Sequence, residues 1–152
     1  MTPQQDALFM RRAIKAARAR LGKTGTNPAV GCVIVKDGVV VGEAATAEGG
    51  RPHAEEQALG QAGRRARGAT VYITLEPCGM RTSGAASCSE LLVAAKVARV
   101  VSAGGDSSPY ASDRGLARLR DAGVTVETGL LAAQAAPLYV DYAARLAAAK
   151  RD

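Results

Sequence analysis

Aromatic residues are scarce in this sequence: four tyrosines, one phenylalanine and no tryptophan among 152 residues. Aliphatic side chains must therefore supply most of any core, and there are too few rings for a surface that stacks successive nucleic-acid bases. Cysteine is sparse as well. Three thiols form an odd set that points away from a disulfide framework and towards a cytoplasmic chain with a metal site. No apolar run is long enough to cross a membrane. The opening Thr2-Pro3-Gln4-Gln5-Asp6 lacks the basic-then-apolar pattern of a secretory leader. Repeats, linkers and low-complexity segments are missing too, so residues 1–152 read as one domain, long enough to bury its own core. The net charge of +6 hints at anionic partners. The basic residues are scattered rather than run together, however, and read as a solvated surface and not as a nucleic-acid track.

What is present is an alternation of helical and extended patterns. Residues 4–22 predict an amphipathic helix with Met10, Ile14, Ala17 and Leu21 inward and Arg11, Lys15 and Arg18 outward, ended by Gly22. A polar loop leads to Asn27-Pro28. The Asn27 amide suits either a turn or the edge of a pyrimidine ring, and local sequence does not separate the two. Residues 29–35 and 39–41 predict two strands joined by a hairpin at Asp37-Gly38. Cys32 falls inside the first as a small buried hydrophobe. Pro52 starts a predicted helix through Gln61, and the arginines of the 60–68 loop read as solvated. Strands follow at 69–75, 97–103 and 124–128, with helices beginning at Cys88 and Ser112. A closing Ala-rich helix runs from Gly129 towards Lys150 with a bend at Pro137. The fold class is α/β: a mixed sheet of about five strands covered by helices on both faces.

The chemistry concentrates in a few residues. The single histidine, His53, lies two residues before Glu55, and Pro77-Cys78 and Cys88 follow. His-x-Glu with a later Pro-Cys and a second cysteine is a zinc-deaminase pattern. His53, Cys78 and Cys88 offer three donors suited to Zn2+ and leave a fourth tetrahedral position open, as a catalytic site requires. In that pattern Glu55 is expected to carry protons and not to ligate. It stands about 200° around the helix from the histidine, and both can border one site if that site lies at the helix end. Cys78 is expected at the carboxyl end of a strand, the edge where α/β sheets hold ligands. Ser87 and Glu90 form a capping-box pattern that puts Cys88 in the first turn of its helix. Two helix N-termini and one strand end therefore converge on the metal.

Beyond that pattern, the chain resembles the cytidine-deaminase-like zinc enzymes, most closely the deaminase domain of the riboflavin pathway that acts on diaminohydroxyphosphoribosylaminopyrimidine. The segments that carry the likeness are Asn27-Pro28-Ala29-Val30-Gly31, Gly50-Arg51-Pro52-His53-Ala54-Glu55, Gly68-Ala69-Thr70-Val71-Tyr72 and Thr74-Leu75-Glu76-Pro77-Cys78, with weaker matches at Asp106 to Pro109, Arg114-Gly115 and Ala122-Gly123-Val124. The resemblance implies a three-layer sandwich, zinc on His53, Cys78 and Cys88, proton transfer by Glu55, and pyrimidine contacts from Asn27 and the Ala54 backbone. Arg81 and Asp106 are further expected substrate contacts. Cys78 and Cys88 are separated by nine residues, longer than the Pro-Cys-x-x-Cys of cytosine, cytidylate and tRNA-adenosine deaminases and close to the riboflavin-type loop.

Three positions depart from that family. Met80 replaces a substrate-binding histidine, with Arg81 as partial compensation. Thr46 stands where many members carry another histidine. The chain stops at Asp152, so the reductase domain often fused downstream is expected to be a separate protein. The family likeness also implies a homo-oligomer. The expected reaction is hydrolytic loss of an exocyclic amine from a pyrimidine-like ring, with or without a phosphate on the substrate. A deaminase of another nucleobase or nucleoside is the alternative that the altered loop suggests. A non-catalytic zinc or RNA-binding domain is the alternative that the charge suggests, and the retained Glu55 speaks against it.

Overall fold

A computed structural model describes residues 2–77, 87–104, 114–142 and 144. Helix α1 (Pro3–Arg18) opens on Thr2, whose hydroxyl accepts from the Gln5 N–H while the Gln5 side chain accepts from the Thr2 N–H, a capping box that satisfies both ends of the first turn. Met10, Ile14 and Ala17 are buried and Arg11, Lys15 and Arg18 are exposed, as the periodicity predicts. Leu21 is not inward: it is 44% exposed, because the helix stops at Arg18 and the next residues form turns before Gly22. The expected strand pair is β1 (Gly31–Lys36) and β2 (Val39–Ala45), joined at Asp37-Gly38 with both residues at positive φ, the backbone that a two-residue hairpin demands.

Alternation continues through α2 (Ala54–Ala62), β3 (Thr70–Ile73), α3 (Cys88–Ala94), β4 (Arg99–Ser102), α4 (Arg114–Asp121), β5 (Thr125–Thr128) and α5 (Ala132–Ala135). The five strands form one sheet in the order β2-β1-β3-β4-β5, antiparallel across β2, β1 and β3 and parallel across β3, β4 and β5. The closing helical segment is interrupted at Pro137, where the sequence places a bend, and residues 140–142 are helical again. Only Ala132–Ala135 is α-helical before a 3-10 turn over Ala136–Tyr139, since Pro137 cannot donate to a continuing helix.

Side chains alternate faithfully between the two faces. Cys32, Ile34, Val71, Ile73 and Val100 pack with α2, α3 and α4; Val33, Val35, Tyr72 and Val101 pack with α1 and the 135–138 segment. This is the expected layered α/β sandwich. Two glycines set how closely helices lie on the sheet. A Cβ on Gly31 would stand 1.8 Å from the Ala13 carbonyl oxygen, and one on Gly42 would stand 2.3 Å from that of Ala58. Gly31→Ala is thus expected to lower stability in urea by about 1–3 kcal/mol, since the obstructing atom is helix backbone. Gly60→Ala in α2 meets nothing within 4 Å and is expected to be neutral or stabilising. Equal midpoints for the two variants would contradict this packing.

Polar ties at the far end of the sheet fasten α1. The Arg99 guanidinium donates to both Asp6 oxygens at 2.9 and 2.7 Å, and Tyr72 Oη donates to Asp6 Oδ1 at 2.5 Å. Arg99 also binds Glu127 on β5. The hydrogen bond from Arg99 holds the Asp6 carboxyl below its ordinary value, against the opposing effect of burial. Its stabilisation is therefore present at neutral pH and lost as pH falls below the ordinary carboxylate range near about 4. Asp6→Asn is expected to cost on the order of 1.5–3 kcal/mol at pH 7. The gap from the parent protein should close as urea titrations are taken to lower pH, and a pH-independent gap would exclude this linkage.

Candidate metal centre

His53 reaches its position through a loop pinned at several points. Asn27 Nδ2 donates to the Gly50 oxygen at 2.9 Å, and the Gly49 N–H donates to the Lys23 oxygen at 2.8 Å, so the stretch before the first strand is zipped to the stretch before the histidine. Gln57 Nε2 donates to the carbonyls of Ala45 and Pro52 at 2.6 and 3.1 Å, tying α2 back to the end of β2. The expected helix start at Pro52 shifts: the Arg51–Pro52 peptide is cis, His53 is the extended N-cap, and Ala54 is the first helical residue. Pro52 thus lies before the cap and not at the first helical position. Glu56 closes this turn, with Oε1 accepting from the His53 N–H at 3.3 Å.

Cys88 arrives from the opposite side on the first residue of α3, as the Ser87 cap predicts. Ser87 Oγ accepts from the Glu90 N–H at 3.3 Å, while Glu90 Oε1 accepts from Ser87 Oγ at 3.2 Å. From α4, Arg118 Nη1 donates to Ser87 Oγ and Ser89 Oγ at 3.1 and 2.9 Å. α2 and α3 pack against each other on one sheet face, and the two helix starts meet. His53 Nδ1 lies 3.3 Å from Cys88 Sγ, although 35 residues separate them.

That distance bears on metal binding. With zinc about 2.0–2.1 Å from nitrogen and about 2.3 Å from sulfur, two donors of one tetrahedron stand roughly 3.5 Å apart. His53 and Cys88 are at that separation, and both donor types suit Zn2+. Cys88 is fully buried, and a buried thiolate needs a cation beside it. The ligand atoms of His53, Glu56 and Cys88 all lie within 4.8 Å of one another. Cys78, the expected third ligand, lies outside the described residues, as do Arg81 and Asp106; β3 and the buried 74–77 segment lead directly to residue 78.

Glu55 sits in the first turn of α2 and is 4% exposed. It is close enough to Cys32 that its charge, after burial, pushes the Cys32 thiol well above its ordinary value. Cys32 therefore stays a neutral hydrophobe on the sheet beneath Glu55, as the sequence predicts. Ala54 is fully buried beside them. Asn27 is half-buried with its Nδ2 committed to Gly50, and it borders a cavity of about 310 Å³ between residues 21–29 and 137–142. Thr46 is buried and structural here: its Oγ1 accepts from the Val30 N–H at 2.9 Å and donates to the Pro28 oxygen at 3.1 Å. Glu56 and Arg118 are the residues near the centre that sequence reasoning passed over. The position of Glu56 three residues after the N-cap was a readable signal. Arg118 carried none, being joined to Cys88 only by tertiary contact.

Comparison with known proteins agrees with this geometry. Residues 3–103 match the cytidine and deoxycytidylate deaminase zinc-binding region. The riboflavin biosynthesis protein RibD of Escherichia coli (strain K12) is 46% identical over 142 residues, 93% of this chain and 38% of that protein. The diaminohydroxyphosphoribosylamino-pyrimidine deaminase of Buchnera aphidicola subsp. Acyrthosiphon pisum is 40% identical over 126 residues, 83% of this chain and 85% of that one. Among solved structures, RibD of Acinetobacter baumannii superposes with a TM-score of 0.85 at 44% identity, covering 91% of this chain and 38% of that chain. The chain thus spans well under half the length of the RibD relatives, and nearly the whole length of the Buchnera one. A likeness of this extent, running through the segment that carries His53 and the sheet that supports it, means that the chain belongs to the cytidine and deoxycytidylate deaminase zinc-binding family, in its riboflavin-biosynthesis branch.

Proposed function

We propose that this protein is a zinc-dependent hydrolase that removes an exocyclic amine from an aminopyrimidine as ammonia, with the diaminohydroxyphosphoribosylaminopyrimidine named for its relatives as substrate. The observation that carries the reading is the 3.3 Å approach of His53 to Cys88, with the buried carboxylate of Glu55 two residues from the histidine. The match to the Buchnera deaminase along 85% of its length supports the substrate class.

His53, Cys78 and Cys88 would hold the zinc, which supplies Lewis-acid activation of water, lowering its pKa from 15.7 towards about 7. Glu55 takes one proton from the water and delivers it to the ring nitrogen as the water oxygen bonds to the amine-bearing carbon. It then carries the second proton, from the new hydroxyl, to the amine, and the C–N bond breaks to leave a ring carbonyl and ammonia. The burial of Glu55 keeps bulk solvent from competing for these protons. The Ala54 N–H and Asn27 Oδ1 orient the ring, the Asn27 Nδ2 being engaged with Gly50. Arg81 and Asp106 take the remaining substrate contacts, Arg81 the phosphate. The same proposal includes a homo-oligomer acting in the cytoplasm and a reductase activity that consumes the product.

A deaminase of another base or nucleoside is favoured by one observation, Met80 in the position of the family histidine. Ammonia release from the diaminopyrimidine ribosyl phosphate, its dephosphorylated form and cytidine separates the two. Turnover confined to the phosphorylated compound is the expected result. Turnover of cytidine alone would overturn the substrate assignment and leave the chemistry standing.

A further inference from the structure

We propose that Arg118 is a positioning residue for the zinc ligand Cys88, an inference that rests on the zinc-deaminase reading but not on which pyrimidine is the substrate. Cys88 has a serine on each side, and both Ser87 and Ser89 are fully buried, as Cys88 is. Their hydroxyls stand 3.0 Å apart. One nitrogen of the Arg118 guanidinium donates to both, at 3.1 and 2.9 Å, and lies 3.4 Å from Glu90 Oε1. A single group on α4 thus grips the residue before the ligand, the residue after it and the side chain that closes the cap.

The consequence for the metal is geometric. Fixing both neighbours of Cys88 fixes the direction of its Cα–Cβ bond, and so the place of Sγ opposite His53 Nδ1. Zinc tolerates only a few tenths of an ångström in donor placement. Among the described residues the two serine hydroxyls bond to Arg118, to Glu90 and to each other, so the effect of Arg118 passes through the backbone of residues 87–89. Groups that orient ligands in this indirect way alter metal affinity by roughly 10–100-fold when removed. A tie that merely joined α3 to α4 would change thermal stability and leave zinc affinity alone at temperatures where the protein is folded.

The test is zinc affinity of the full chain, measured by competition with a chromophoric chelator at a temperature where circular dichroism reports the folded state. Arg118→Met is expected to raise the zinc Kd roughly 10–100-fold. Arg118→Lys should recover part of the loss, since an ammonium still donates to the hydroxyls without the planar fork. Arg120→Met, an exposed position on the same helix, should leave the Kd unchanged. If Arg118→Met does not fold, Ser89→Ala decides: it removes one gripped hydroxyl, and a several-fold rise in Kd is expected. Unchanged Kd in the folded Arg118 or Ser89 variant, or an equal rise in Arg120→Met, overturns the proposal. Failure of the parent protein to deaminate the phosphorylated pyrimidine while binding zinc normally would sink the substrate reading and leave this inference intact.

Discussion

Exchange of Glu55 for glutamine is expected to leave one zinc per chain while ammonia release falls by about 10²–10⁴-fold. Glutamine preserves the size of the buried side chain and removes only the basic oxygen. Among the described residues, the cluster whose ligand atoms lie within 4.8 Å of one another is His53, Glu56 and Cys88, without Glu55, so loss of its charge is expected to leave metal binding in place. Glu56→Gln is the informative partner variant. It keeps an oxygen to accept from the His53 N–H, the 3.3 Å contact that closes the helix start, and is expected to retain most of the activity. Measured zinc content and single-substrate kinetics check both. Near-parental turnover by Glu55→Gln would remove this residue from proton transfer, and joint loss of zinc and turnover would make it a structural support of the site.

Cys88→Ala should lose zinc on dialysis and all turnover with it. The thiol is fully buried 3.3 Å from His53 Nδ1, and alanine fits the space without supplying a donor. The remaining soft donors then leave the metal with too few ligands for a stable site. Cys32→Ala is the control, because that thiol is held neutral by burial and by the charge of Glu55 and packs in the core on the α2 side of the sheet. It is expected to keep its zinc and lose a little stability. Full zinc occupancy in Cys88→Ala, by metal analysis of the dialysed protein, would break the ligand assignment.

Much of the arrangement was legible in short-range pattern. The capping signals at Ser87 and Glu90 placed Cys88 at a helix start, and the nearly continuous apolar run through residues 29–35 placed Cys32 inside a strand. The errors came where local signals compete. Pro52 is favoured at a first helical position, yet the loop hydrogen bonds among Ala47, Gln57 and Pro52 hold it outside, and His53 becomes the cap. Leu21 continues an apolar stripe in sequence, but the chain turns away three residues earlier. The interruption of the closing helix, by contrast, lies at Pro137, where the sequence places a bend.

The sequence by itself determined the mixed five-strand architecture and the family, and it nominated the proposed donor set and proton carrier, because each depends on residue type at fixed spacing or on periodicity along one element. Tertiary structure alone decided that His53 Nδ1 and Cys88 Sγ meet at zinc-compatible distance, that Thr46 is committed to the backbone of residues 28 and 30, that Asn27 ties itself to Gly50, and that Arg118 grips both neighbours of Cys88. Those contacts join residues far apart in the chain, and no local preference encodes them. They follow from helices brought to one edge of the sheet by burial of its faces and by the close approach that Gly31 and Gly42 allow.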